Sequence, residues 1–277
     1  MSLLGNCKVS LAAAAFCVSA SAAQASEPQQ HPVSIGYEVY FSGMHILSVD
    51  AELLNAPDRY ELKVTSATRG ITDFFVGWKG EAISRGTLAG NLAVPQGYTN
   101  RGVWKGKTRN IDIAYRPDGE VESYKVEPEP DPEKVNDLPE NAEAGTIDPL
   151  SVIAQVTRAL NKGGDCGGNF AVFDGRRRYD VDVADKGIEN IAPNDYSIYS
   201  GDAVVCDLVI TVLGGDRKEK SKYAATARNR RVFVAAPVDS APAIPVRLQI
   251  ETDYGTLMAH LTRFGPRTDM PGQTASR

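Results

Sequence analysis

The chain has 277 residues, of which 42% are hydrophobic and 23% charged, and its formal net charge is −5. This composition argues against a disordered chain, a collagen or a long coiled coil. The acidic balance argues against a nucleic-acid binder, which needs a basic face to neutralise phosphates.

The N-terminus carries an export pattern. Lys8 is the only charge before Glu27, and an apolar run, Val9 to Val18, follows it. Small residues then lead to Ala25. Ser21-Ala22-Ala23 and Ala23-Gln24-Ala25 both fit a small-x-small cleavage site. The reading is a signal peptide over residues 1–25, cut after Ala25 or, alternatively, after Ala23. The run is too short and too rich in Ala and Ser for a membrane anchor. Phe16 and Ala14 before Cys17 do not fit a lipidation site. No later segment has a long uncharged apolar run, so no stable membrane insertion is expected.

Residues 26–32 are polar with two prolines and read as a flexible leader. A single β-rich domain is expected over 33–266. Ser34–Phe41 and His45–Leu54 alternate apolar and polar residues around Gly43, as a hairpin does. Tyr60–Thr65 is a third strand. Gly70–Trp78 is densely apolar and bounded by glycines. Phe74, Phe75 and Trp78 are either core or the lining of a hydrophobic cleft, and they form the candidate apolar ligand cleft. Strands are expected at Glu81–Leu88, Tyr98–Lys105, Thr108–Tyr115 and Glu120–Val126. Pro117-Asp118-Gly119 marks the turn before the last of these.

Residues 127–147 are acidic and proline-rich, and they read as a mobile loop. A helix is expected over 148–162, with Asp148 as N-cap and Pro149 in the first helical position. Leu150, Ile153, Ala154, Val156 and Leu160 form its apolar stripe, and Gly163 and Gly164 stop it. Strands resume at Asn169–Phe173 and Arg177–Val183 around Asp174-Gly175. Further strands are expected at Ser197–Tyr199, Ala203–Leu213, Tyr223–Ala227, Arg231–Ala235, Pro245–Thr252 and Gly255–Phe264. The tail, 267–277, is expected to fray. Consecutive hairpins with one main helix imply a mainly β fold, an antiparallel sheet that curls or is covered by the helix.

Cys7 and Cys17 leave with the signal peptide. Cys166 and Cys206 remain in an exported chain, where a disulfide between them is the economical reading. The alternatives are a redox or metal pair, which the absence of Cys-x-x-Cys and of a neighbouring His disfavours.

No sequence pattern for a nucleophile elbow, a P-loop or a dinucleotide fold is present. His31 falls in the leader, and His45 and His260 fall in strands without a metal-binding spacing. Asp148 near Ser151 reads as helix capping rather than catalysis. Arg176, Arg177 and Arg178 form a candidate anion patch, against the alternative of a solvated hairpin end.

Several segments together carry a resemblance. They are Asp148-Pro149-Leu150-Ser151, Cys166, Val172 to Tyr179, Tyr199-Ser200-Gly201, Cys206, Ile244-Pro245-Val246-Arg247 and Thr252-Asp253-Tyr254-Gly255. Tyr37-x-Val39-Tyr40 and the apolar patch after Gly70 add to them. Taken together they resemble the exported bacterial family catalogued as domain of unknown function 3108, over nearly the whole chain after the signal. The resemblance implies a periplasmic protein without assigned chemistry, built as a half-open, barrel-like or β-spiral sheet. Such a sheet is loosely similar to carriers that hold acyl chains in an apolar concavity. No binding residue transfers from them, because no motif matches theirs.

The expected function is therefore non-enzymatic, with no cofactor and no metal: binding of a lipid-like or other hydrophobic envelope component. The alternatives are an interaction protein with an envelope protein partner, using the acidic loop or a strand edge, and a hydrolase with unrecognised carboxylates.

Overall fold

In the computed structural model, which describes residues 32–219 and 222–266, the alternating segments pair as successive antiparallel strands. The first meander contains β1 (Val33–Phe41), β2 (Met44–Asn55), β3 (Arg59–Thr68), β4 (Trp78–Ala89), β5 (Leu92–Trp104), β6 (Lys107–Tyr115) and β7 (Val121–Glu127). The second contains β8 (Gly168–Phe173), β9 (Arg178–Ile191), β10 (Gly201–Gly214), β11 (Arg228–Ala235), β12 (Ile244–Thr252) and β13 (Gly255–Pro266). β13 pairs with β1, which fuses both meanders into one 13-stranded sheet with β7 and β8 at its edges. Helix α1 (Gly70–Phe75) joins β3 to β4, α2 (Pro149–Asn161) joins β7 to β8, and α3 (Lys222–Ala225) joins β10 to β11.

The sheet curls until its edges meet through side chains rather than through a backbone ladder. Tyr124 of β7 packs edge-on against Phe173 of β8, with centroids 4.9 Å apart. The Arg176 guanidinium donates to the carbonyls of Glu127 and Pro128. The backbone at the outer edge of β8 is taken up by a different partner. Ile147 N–H donates to Ala171 O and Phe173 N–H donates to Ile147 O, a short parallel bridge. The expected half-open, barrel-like sheet is therefore what forms, and the 128–147 segment is tied to the seam at both ends, by Arg176 at Pro128 and by the bridge of Ile147 to β8.

That segment is not the loose acidic loop expected from its composition. Its backbone pairs with the 215–218 turn: Asn136 N–H to Asp216 O, Gly215 N–H to Asn136 O, and Lys218 N–H to Lys134 O. Its prolines oppose helix, but the other residues leave enough backbone donors and acceptors to bind an adjacent turn.

Helix α2 forms where expected. Asp148 caps it, accepting from the N–H groups of Leu150 and Ser151 at 2.9 and 3.0 Å. Leu150 joins the main core, which includes Phe173, Leu261, Ile244 and Val205. Val152, Val156 and Leu160 pack on a second cluster around Val172, Val181, Val183 and the buried Cys166–Cys206 disulfide. Ala154 is fully buried against Tyr60, Leu88 and Ala93. Ile153 departs from the expected stripe and is partly exposed, because Leu150, Ala154 and Thr157 already fill the inner face.

The C-terminal half of α2 ties to the turns at one end of the sheet. Arg158 donates to Pro57 O, Lys162 to Gly90 O, and Asn161 exchanges hydrogen bonds with Ala243. Antiparallel order places the β1–β2 turn, α1, the β5–β6 turn and the β10–β11 connection at the opposite end. One end is thus bound to the helix, and the other is the mouth described below.

Two expected strands are absent. Ser197–Tyr199 lies in the β9–β10 connection, where Ile198 N–H donates to Leu261 O. Tyr223–Ala227 overlaps the short helix α3, because its apparent alternation has no free neighbouring strand to pair with. The expected signal peptide (1–25), the expected leader to residue 31 and the expected frayed tail (267–277) lie outside the described residues.

Candidate functional site

The mouth cavity is built from a mirrored sequence pattern. Trp78-Lys79-Gly80 opens β4, and Gly102-Val103-Trp104 closes β5. Antiparallel register sets Trp78 opposite Trp104 and Gly80 opposite Gly102. Directly paired residues share a face, so both indoles lie on the same side of the hairpin. The Trp78 ring lies over both glycines. A Cβ at either Gly80 or Gly102 would sit 2.4 Å from that ring, so neither position admits a side chain without moving it. Hydrogen bonds fix the ring further: indole Nε1–H donates to Ser66 Oγ at 2.9 Å, and the Trp78 backbone N–H donates to Thr68 Oγ1 at 2.9 Å.

Two cations converge on the second indole. The Arg109 guanidinium, from β6, stands 5.0 Å from the Trp104 ring centroid, and that of Arg217 stands 5.5 Å away. Both distances are within cation–π range. Arg217 is held there by the 128–147 segment, through its bridge to Val135 and the flanking backbone bonds. Arg109 Nε is buried and has no hydrogen-bond partner within the protein. Together Val76, Trp78, Trp104, Arg109 and Arg217 line a cavity of about 330 Å³ that carries two guanidinium groups and no carboxylate.

Of the three aromatic residues expected to form a cleft, the cavity takes only Trp78. Phe74 and Phe75 sit on α1, 86% and 62% exposed, and belong neither to the lining nor to the core. The reason is helical spacing. Ile71, Phe74 and Phe75 at i, i+3 and i+4 form one stripe, and the helix is anchored through its other side, where Thr68 Oγ1 donates to Asp73 Oδ1.

The arginine cluster is not a free anion patch. Arg177 forks onto Asp174 Oδ2 through Nε and a terminal nitrogen at 2.9 and 2.7 Å. Arg178 pairs with Asp180, and Arg176 serves the seam carbonyls. Burial, and then the nearby charge of Arg109, lowers the Arg176 pKa from its ordinary value.

Two further polar clusters stand out among the described residues. Asp148, Ser84, Ser151 and Tyr60 form a buried network: Ser84 Oγ donates to Asp148 Oδ2, and Tyr60 Oη bonds Ser151 Oγ at 2.7 Å. Burial pushes the Asp148 carboxyl up and the hydrogen bonds of Ser151 and Ser84 pull it down, with a net rise. Burial, then the Asp148 charge, pushes Tyr60 up to about 12. Asp148 and both serines are essentially inaccessible, which fits the capping role expected of Asp148.

The second cluster brings His45, Glu38, Tyr40, Tyr196 and His260 together. His45 Nε2 contacts Glu38, and Ser48 Oγ donates to the same carboxylate at 2.6 Å. Tyr196 stacks on His260 at 5.6 Å. Neither pairing is legible in chain order, because Glu38 reaches His45 only across a strand turn and Tyr196 lies 64 positions from His260.

Residues 36–262 match the model of the family described as protein of unknown function (DUF3108), and the chain belongs to that family. No curated protein matches the chain. Among solved structures it is similar to a β-barrel-like protein of domain of unknown function DUF1849 from Brucella abortus, with 10% identity and a TM-score of 0.46. That match covers 87% of this chain and 99% of the other.

Proposed function

We propose that this chain is a non-enzymatic binding protein of the cell envelope, and that its ligand is an anionic amphiphile held at the open mouth of the sheet. The observation that carries this reading is the convergence of Trp78, Trp104, Arg109 and Arg217 on one cavity without a carboxylate. Guanidinium groups bind phosphate, sulfate or carboxylate through charge-assisted hydrogen bonds. The indole faces offer a rigid apolar wall to the first methylenes of a tail. Ligand pockets run from roughly 300 to 1,000 Å³. A cavity of about 330 Å³ therefore takes a head group and the start of a chain, not a whole two-chain lipid. The export pattern at the N-terminus supports an envelope location, and the inaccessible Asp148 network supports a binding rather than a catalytic role.

The chain has two tryptophans, and both line this cavity, so its intrinsic fluorescence reports on the site directly. Titration with monomeric dodecyl phosphate is expected to give a saturable one-site change, and dodecyltrimethylammonium is expected to give none. Each guanidinium lost, in Arg109→Gln or Arg217→Gln, should weaken binding by about 10- to 150-fold, the equivalent of one charge-assisted hydrogen bond. Equal responses to both amphiphiles, or unchanged affinity in the double variant, would contradict the proposal.

A further inference from the structure

We infer that α1 seats the mouth of the sheet on an anionic lipid surface, so that the cavity takes its ligand head group while the tail remains in the bilayer. The inference rests on the cavity reading above and goes beyond it by naming the surface.

The first observation is the direction of the α1 stripe. Ile71, Phe74 and Phe75 are 60%, 86% and 62% exposed, although their spacing is that of a helix face that normally packs inward. An exposed cluster of large apolar side chains at the tip of an element marks an interaction surface more often than chance. The second observation is continuity. Val76 directly follows the stripe, is itself exposed, and lines the cavity. The stripe and the cavity are thus one surface.

The third observation is charge. Lys79, Lys105 and Lys107 are exposed beside the cavity, and Arg109 and Arg217 line it. Lys105 N–H donates to Gly77 O, which ties this basic turn to the end of α1. None of these five cations enters an ion pair among the described residues. The one acid on α1, Asp73, is turned to Thr68. An apolar tip flanked by cations outside any ion pair complements an anionic bilayer, where aromatic residues settle at the head-group level and each nearby cation adds attraction.

The test uses the full chain and two vesicle types, phosphatidylcholine alone and phosphatidylcholine with a third of phosphatidylglycerol. Sedimentation should recover the protein with the anionic vesicles, and less of it as salt rises. Phe74→Ser/Phe75→Ser should lose roughly tenfold or more of that affinity per phenylalanine. The same variant should bind monomeric dodecyl phosphate as the parent does, which shows that it is folded. Arg109→Gln/Arg217→Gln should lose both activities. Unchanged vesicle binding in the phenylalanine variant overturns the inference. So does an absence of vesicle binding in the parent with dodecyl phosphate binding intact, and that outcome leaves the cavity reading standing. A parent that self-associates through the stripe, with the serine variant monomeric and neither bound to vesicles, also overturns it in favour of a second copy of this chain. Loss of dodecyl phosphate binding in the parent removes the cavity reading itself.

Discussion

Gly102→Ala is the most informative single methyl group that can be added to this protein. The new Cβ would stand 2.4 Å from Trp78 Cη2, 2.9 Å from Cζ3 and 3.2 Å from Cζ2. Ordinary carbon contact is about 3.5 Å or more, so the indole must retreat by about 1 Å. It cannot do so freely, because its Nε1–H is bonded to Ser66 Oγ and its backbone N–H to Thr68 Oγ1. Overpacking of this kind costs about 1–3 kcal/mol, and a lost indole hydrogen bond adds about 1 kcal/mol. The urea midpoint should fall accordingly, and tryptophan emission should shift because one of the two reporters has moved. Affinity for dodecyl phosphate should fall with it. Gly97→Ala supplies the comparison: on the same strand its nearest neighbours are 3.9 Å away, so its midpoint should move far less. Equal effects of the two substitutions, or unaltered emission in Gly102→Ala, would refute the claim that the glycine pair exists to seat the Trp78 ring.

Three other predictions concern the scaffold. Asp148→Ala should destabilise the chain by about 1–3 kcal/mol through loss of the cap and exposure of unpaired buried groups, whereas Asp148→Asn, which keeps a cap acceptor, should lose less; equal losses in denaturant melts would count against the capping role. His260 is held below its ordinary pKa by burial and then by the Arg247 charge. Glu38 and Arg247 pair with it across the strands, and Tyr40 and Tyr196 contact it. Because the unfolded His takes up a proton near pH 6.5 and the folded one resists, its contribution is complete above about 6.5 and is lost as the pH falls below it. The stability of the parent relative to His260→Phe should therefore drop below that pH, and parallel profiles would refute the assignment. Removing the Cys166–Cys206 bridge, which closes a separation of 40 residues, should cost up to about 4 kcal/mol in the chain-entropy account; an unchanged midpoint after Cys166→Ala/Cys206→Ala would show the bridge to be dispensable.

Local signals carried much of the fold. The hairpins could be read because alternation and turn residues act over a few positions, as at Pro117-Asp118-Gly119. Asp148-Pro149 marked the start of α2, and Cys166 and Cys206, the two cysteines outside the expected signal peptide, marked the disulfide. β9 runs on to Ile191 although Asp185–Asn190 are exposed and show no alternation, because strand pairing with β10 rather than burial holds them. The site was far less legible. Trp78 stood out as apolar, but Trp104, Arg109 and Arg217 join it only through the curl of the sheet and the grip of the 128–147 segment. One usable signal existed, the mirrored Trp-x-Gly and Gly-x-Trp, which only an antiparallel hairpin register brings face to face. Phe74 and Phe75 fit neither reading, cleft lining or core, because hydrophobicity does not record which way a short helix turns.

Native mass spectrometry of the protein purified from its own host, followed by organic extraction, tests the central claim most directly. A near-stoichiometric anionic amphiphile should accompany the parent and be missing from Arg109→Gln/Arg217→Gln. A clean unliganded mass for the parent, or a ligand retained equally by the double variant, would contradict the assignment of this cavity as the binding site.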